Sequence, residues 1–282
     1  MKNEADELIR IVNDNEKNLI RPLYEEVFND SKEFVDYYFA KYVKNAINFV
    51  CERNGQVIAM ATIHPKTLSI SGENVKVGYV YAVATKKEYR GQGLMRNVLE
   101  AIDKYAIDNK YAYLYLIPVD PEIYKSLGYV LLKEGKECLV KRTQIHLDNS
   151  MEYDLIKLDL KDIKKALDFL MNFYENKVSI YYDENSFSEL IERFSGKKSG
   201  IYCVFHRECD KILGLALIED DEDINVAGIL CENKDRYEIF GALMNGLEVD
   251  KLVCNENPVM FKSVYEDIDK IKNYTIYIND EV

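Results

Sequence analysis

The first half of the chain alternates between helix-like and strand-like runs of apolar residues. Apolar side chains recur at helical spacing over residues 21–44, and the interruption at Asn29-Asp30-Ser31 predicts two helices with an N-cap between them. Residues 75–84 lack strict alternation, which predicts a strand buried on both faces. Further predicted elements are helices over residues 4–13, 92–109 and 121–127, strands over 48–52, 56–63 and 111–117, and a closing hairpin of 129–132 with 137–140.

The second half repeats this order more loosely. Its pattern predicts helices over residues 162–174 and 186–194, a hairpin of 201–206 with 211–218, and a late strand over 274–278. Residues 49–63 and 204–218 share a strand, a polar turn and a second strand of equal length, which suggests a duplicated fold. We therefore predict an α/β protein of the mixed-sheet, α+β kind, with one lobe over residues 1–147 and another over 148–282.

Composition narrows the class of protein. A chain of 282 residues favours two domains, and no apolar run approaches the ~18 residues of a membrane helix. The N-terminus is acidic where a signal peptide would be basic, so we expect a cytoplasmic protein without a membrane segment. Six cysteines form no CxxC pair and only three histidines accompany them, so we expect no metal site.

The net charge of −12 is distributed unevenly. Residues 1–147 carry a net charge of +1 and residues 148–282 a net charge of −13. An acidic protein repels phosphate backbones, which argues against nucleic-acid binding. The near-neutral first half can still accept an anionic cofactor, and the acidic second half can attract a cation.

One segment carries recognisable chemistry, because the predicted strand over residues 75–84 leads through Arg90-Gly91-Gln92-Gly93 into a predicted helix. Free N–H groups and the positive end of the dipole at a helix start bind phosphate, and glycines allow close approach of the backbone. A dinucleotide fingerprint would need glycine where Arg96 stands, and a P-loop would need a following Gly-Lys pair. Neither of these two sites fits.

The segment resembles the pyrophosphate motif of the GNAT family of acetyl-CoA-dependent N-acetyltransferases. Arg90-Gly91-Gln92-Gly93-Leu94-Met95 matches [RQ]xxGx[GA] except at its last position, and Tyr124 stands four residues before Gly128-Tyr129, where the family has Gly-Phe. The stretches VFNDSKEFVDYYF, YVYAVATKKEYRGQGLM and LIPVDPEIYKSLGY are similar to the subgroup of enhanced-intracellular-survival acetyltransferases. That resemblance implies a catalytic GNAT domain followed by a degenerate GNAT-like domain, here without the sterol-carrier-like domain of larger members.

The resemblance also implies roles for individual residues. Tyr124 takes the position of the general acid that protonates the leaving thiolate. The general base is either the C-terminal carboxylate, here on Val282, or a water, and a frayed terminus is an equal alternative for Val282. The implied acetyl-CoA contacts, through the end of the strand and through the pyrophosphate motif, are Val83, Ala84, Thr85, Arg90, Gly91, Gln92, Gly93, Leu94 and Met95.

We therefore expect an acetyl-CoA-dependent N-acetyltransferase acting on a primary amine of a small molecule or peptide. The acceptor stays open between an aminoglycoside-like polyamine, a lysine side chain and a small metabolite, and the oligomeric state is open too, including a homo-oligomer. The alternative is a non-catalytic module that keeps the CoA groove for sensing or assembly. We expect a single acetyl-CoA site, since residues 233–237 of the second lobe have no glycine pair.

Overall fold

The computed structural model describes residues 7–145, 153–209, 211–220 and 223–278, which form two mixed sheets and seven α-helices. The strands are β1 (Leu8–Ile11), β2 (Ile47–Arg53), β3 (Gln56–Ile70), β4 (Glu73–Thr85), β5 (Tyr113–Leu116), β6 (Val130–Lys133), β7 (Lys136–Lys141), β8 (Tyr153–Lys157), β9 (Lys177–Ile180), β10 (Gly200–His206), β11 (Lys211–Asp220), β12 (Ile224–Cys231), β13 (Lys251–Glu256), β14 (Val259–Ser263) and β15 (Thr275–Tyr277). The helices are α1 (Arg21–Val27), α2 (Lys32–Lys41), α3 (Leu94–Asp108), α4 (Glu122–Lys125), α5 (Ile163–Phe173), α6 (Glu184–Arg193) and α7 (Arg236–Leu247).

The first sheet has the order β1-β2-β3-β4-β5-β14-β6, with β9 pairing to the far end of β3 and β15 pairing to β9. Strands β4 and β5 are parallel, while β1 to β4 form an antiparallel meander. Helices α1 and α2 cover one face of this sheet and α3 covers the other, so the apolar residues of β4 are divided between two clusters. This burial on both faces confirms the reading of residues 75–84.

The predicted break between the first two helices is confirmed. The side chain of Ser31 accepts a hydrogen bond from the backbone N–H of Phe34 at 3.1 Å, which caps α2 where its first N–H groups lack helical partners. Pro22 lies in the first turn of α1, where a missing N–H costs nothing. The two helices therefore start at residues whose local chemistry fixes their positions.

The second sheet has the order β7-β13-β12-β11-β10-β8 and reproduces the first. An antiparallel meander leads to β12, helix α7 follows it as α3 follows β4, and β13 then pairs with β12 in parallel. Both long strands carry one extra residue against their antiparallel neighbour, at Ala227 in β12 and at Ala82–Val83 in β4. The duplication that the hairpins suggest extends to six strands of the first sheet, whereas β6, β9 and β15 have no counterpart among the described strands of the second.

The two sheets exchange strands. Strand β14 comes from the second half of the chain but lies between β5 and β6 of the first sheet, and β7 comes from the first half but pairs with β13 of the second. The predicted closing hairpin is therefore wrong, because β6 and β7 diverge into different sheets. Lys262 of β14 pairs with Asp103 of α3 at 2.6 Å, which adds an ion pair across the exchange. The division into residues 1–147 and 148–282 stays a prediction.

The helix predicted over residues 4–13 is also wrong in its described part. Leu8–Ile11 is a strand that pairs antiparallel with residues 49–52 of β2 and forms the edge of the first sheet. Arg10 fixes it further through ion pairs to Glu16 at 2.9 Å and Glu52 at 2.7 Å. Pairing with a neighbouring strand outweighs the helical preference of this short segment.

Candidate active site

The site begins where β4 separates from β5. The two strands pair at Val77, Gly78 and Tyr79, and the pairing stops there although β4 continues to Thr85. Beyond it lies a β-bulge in which Ala82 has a φ of 51° and both Ala82 and Val83 oppose the single residue Ala61. A bulge bends its strand and ends pairing, so it opens a gap between the ends of the two parallel strands.

The turn that follows β4, residues 90–93, is shaped by two glycines. Gly91 and Gly93 have φ angles of 76° and 81°, and Gly93 is the N-cap of the 15-residue helix α3. A Cβ atom built at either glycine would meet nothing within 4 Å, so the turn faces open space. Arg90 Nε donates to the backbone oxygen of Thr85 at 3.1 Å, which holds the guanidinium across the turn. A helix start, close approach of the backbone and a fixed cation are together suited to binding phosphate.

A cavity of about 490 Å³ runs from the end of β4 to this turn. It brings together eight of the nine predicted cofactor residues, namely Val83, Ala84, Thr85, Arg90, Gly91, Gly93, Leu94 and Met95. Gln92 lies outside the wall, where its side chain is exposed and its Oε1 accepts a bond from Arg53 Nη2 at 3.4 Å. Sequence reasoning missed the remaining lining residues, which are Val27, Tyr89, Arg96, Ile123, Ser126 and Leu127.

Two features of the wall fit a phosphorylated thioester cofactor. The hydroxyl of Thr85, a residue of the cavity wall, is buried without a hydrogen-bond partner, so a polar group at the end of β4 is left unsatisfied. Arg96 adds a second cation one turn into α3, and its Nη2 reaches Ser126 Oγ at 3.4 Å. Arg96 stands three residues after Gly93, near the start of the predicted helix, and this position could have identified it from the sequence.

Tyr124 lies on α4, beside the cavity rather than in its wall. Its neighbours Ile123 and Leu127 line the cavity, while its ring packs edge-on against Tyr129 at 5.9 Å. Burial raises the pKa of Tyr124, so its hydroxyl keeps its proton at neutral pH. The position suits a proton donor, and the general-acid role stays a prediction. Val282, the other predicted catalytic residue, lies outside the described residues.

An aromatic cluster fills the face of β4 beneath α1 and α2. Its polar atoms form two pairs: the hydroxyl oxygens of Tyr24 and Tyr81 lie 3.3 Å apart, and the hydroxyl oxygen of Tyr38 lies 3.3 Å from His64 Nε2. Tyr24 and Tyr38 stack at 5.1 Å between ring centroids. This polar group within an apolar cluster was not anticipated from the sequence.

A larger cavity, of about 780 Å³, lies in the second sheet. Charged side chains in its wall already neutralise one another, as in the pairs Arg142–Asp250 at 3.1 Å and Lys251–Asp223 at 2.7 Å. The wall of this larger cavity has no glycine turn, so the smaller cavity beside residues 90–93 is the candidate active site. Within the described ranges no cluster of three metal-binding side chains occurs, and no helix combines the length and apolarity needed to cross a membrane.

Comparison with known proteins agrees with this geometry. Residues 8–132 match the family described as acetyltransferase (GNAT) domain. A GCN5-related N-acetyltransferase from Kribbella flavida superposes with a TM-score of 0.73 at 13% identity, covering 91% of this chain and 70% of that one. Another from Anabaena variabilis gives 0.73 at 14%, covering 94% and 74%. Eis1 from Mycobacterium abscessus gives 0.62 at 12%, covering 92% and 74%. No curated protein sequence matches the chain.

Proposed function

Since residues 8–132 match the acetyltransferase (GNAT) domain family, we propose that the protein transfers the acetyl group of acetyl-CoA to a primary amine. One observation carries the proposal. The bulged end of β4, which no longer pairs with β5, leads directly into the glycine turn at the start of α3. That continuity supplies a backbone edge for an extended pantetheine arm and a phosphate site at its far end. Acetyl-CoA supplies the activated acetyl group when bound.

Different residues of the chain then have different roles in the reaction. Backbone groups of Val83, Ala84 and Thr85 hold the extended arm, and N–H groups there stabilise the negative charge that develops on the carbonyl oxygen. The turn of residues 90–93 and the cations of Arg90 and Arg96 hold the pyrophosphate. Tyr124 donates the proton that the leaving sulfur needs.

We further propose that the site lies in the lobe of residues 1–147 and that residues 148–282 form a degenerate GNAT-like lobe. In support, the turn between β12 and α7 consists of residues 233–235, Asn-Lys-Asp, and contains no glycine. Its neighbour Glu232 is paired with Lys177 at 2.8 Å, which puts a carboxylate where a phosphate would need a cation. We therefore expect one CoA per chain.

Two measurements test the proposal. Calorimetric titration with CoA should give a stoichiometry of one, and release of free thiol from acetyl-CoA should depend on an added amine from a panel that includes polyamines and lysine peptides. Absence of CoA binding would overturn the proposal. Binding without turnover across the panel would favour the non-catalytic sensing or assembly module.

A further inference from the structure

A hydrogen-bonded chain of side chains connects β4 with the protein surface. The hydroxyl of Tyr24 donates to Asp30 Oδ2 at 2.6 Å, a length typical of a charge-assisted bond. The oxygen of Tyr24 also lies 3.3 Å from that of Tyr81. Since the one proton of Tyr24 is directed to Asp30, Tyr81 is the donor in the second bond. The chain therefore has a direction, from Tyr81 through Tyr24 to Asp30.

The two ends of this chain lie in different surroundings. Tyr24 is fully buried, whereas Asp30 follows α1 and is exposed to solvent. Tyr81 directly precedes the bulge of β4 and packs in the same apolar cluster as Ala84, which lines the cavity. Tyr81 is half-buried, so the inner end lies on the strand that leads into the cavity, three residues before Ala84, and the outer end can exchange protons with water.

Acetyl transfer needs such a path, because only a neutral amine is a nucleophile. Residues 75–84 contain neither aspartate nor glutamate, so β4 offers no carboxylate of its own at this point. We propose that Tyr81, Tyr24 and Asp30 form a proton relay, in which Tyr81 is the catalytic residue that takes the proton of the acceptor amine. This inference rests on the proposed function and names the base for it.

The acceptor binds as an ammonium, and its first proton passes to the oxygen of Tyr81 while the proton of Tyr81 passes to Tyr24 and that of Tyr24 passes to the Asp30 carboxylate, which releases it to water. The neutral nitrogen then forms a bond to the acetyl carbon while the bond from that carbon to sulfur breaks. The second proton of nitrogen, lost as the amide forms, passes to water. The sulfur takes the proton of Tyr124, and Tyr124 regains a proton from water.

The groups around Tyr81 suit this role. Burial and the bond to Asp30 raise the pKa of Tyr24, so it remains a neutral hydroxyl that accepts and donates together. Tyr38 from α2, His64 from β3 and Tyr79 from β4 also face Tyr81, with ring centroids 5.4 to 5.9 Å away.

Three carboxylates on the covering helices are engaged with cations. Glu25 and Asp36 both pair with Arg21, and Glu26 lies 3.9 Å from Lys86. The hydrogen bonds from β4 lead instead to Asp30.

The test uses Tyr24→Phe, Tyr81→Phe and Asp30→Asn, which remove one hydroxyl or the basic oxygen with little change in shape. With an acceptor amine that is protonated at the assay pH, we expect kcat to fall by about 10²-fold or more in each, with unchanged CoA affinity. With an amine whose pKa lies well below the assay pH, the deficit should largely disappear, because no proton must leave before attack. Tyr37→Phe is the matched control, since the hydroxyl of Tyr37 lies 3.5 Å from that of Tyr42 and takes no part in the hydrogen bonds of the relay.

A purely structural role would lower turnover equally for both amines, and that result would overturn the relay. Normal turnover in Tyr24→Phe would do the same. An independent readout is the proton NMR signal of the buried Tyr24 hydroxyl, which should be shifted downfield, lost in Tyr24→Phe and displaced in Asp30→Asn but kept in Tyr37→Phe. If the unmodified protein acetylates no amine, the proposed function fails. If the unmodified protein is active and the variants are equally active, only the relay is refuted.

Discussion

Substitution of Gly93 by aspartate tests the phosphate site most directly. Gly93 caps α3 with a φ of 81°, and its missing side chain would project into open space at the turn of residues 90–93. The change therefore places a carboxylate where we expect the pyrophosphate, without a steric clash in the free protein.

The expected loss has two separable parts. A carboxylate about 5 Å from a phosphate charge costs roughly 3 kcal/mol at an effective dielectric constant near 20, which corresponds to a CoA Kd about 10²-fold weaker. The positive φ costs a residue with a Cβ atom about 1–2 kcal/mol of folding free energy. The first part should appear in binding and the second in unfolding.

Gly72 provides the matched control. It lies in the turn between β3 and β4 with a φ of 88°, and a Cβ atom there would also meet nothing within 4 Å. Gly72→Asp should therefore lower the free energy of unfolding by a similar amount, measured in urea, and leave the calorimetric Kd for CoA unchanged. Combining Gly93→Asp with Arg90→Ala should weaken CoA further. Equal Kd values in Gly93→Asp and the unmodified protein, or equal losses at both glycines, would refute the phosphate site.

Three further outcomes follow from the same structure. Tyr124→Phe should lower kcat by about 10²–10⁴-fold with little change in CoA affinity, and kcat of the unmodified protein should hold to above pH ~10, because burial raises the pKa of the proton donor. Gly214→Ala should lower the free energy of unfolding in urea by about 1–3 kcal/mol, since its Cβ would lie 2.8 Å from the backbone oxygen of Leu230. A polyamine acceptor should be preferred over an anionic amine, with kcat/KM falling above ~0.15 M salt if the acidic second half steers it.

Local chemistry was sufficient to predict elements whose ends are fixed by nearby residues. The break at Asn29-Asp30-Ser31 was predicted correctly because the hydrogen bond of the Ser31 cap is set within a few positions. The glycine turn was found for the same reason. The strands over residues 129–132 and 137–140 were predicted correctly, but their pairing was wrong, because a turn-like stretch between two short strands does not reveal which sheet each strand joins.

The connection between Tyr24 and Tyr81 shows the corresponding limit within the site. These residues are 57 positions apart, and their hydroxyls meet only because α1 lies across the face of β4. In a chain with 22 tyrosines, nothing in the sequence distinguishes this pair. Contacts of this kind depend on tertiary packing, which a motif does not encode.

The exchange of β14 and β7 has a consequence for how the protein is made. The first sheet uses strands from residue 8 to residue 277, so its hydrogen bonds can be completed only after residue 277 has left the ribosome. Until then the edge of β5 is open to any strand of matching sequence. The β14 of a second copy can pair with that edge just as the chain's own β14 does. Refolding at high protein concentration should therefore yield a swapped dimer that dilution alone does not separate.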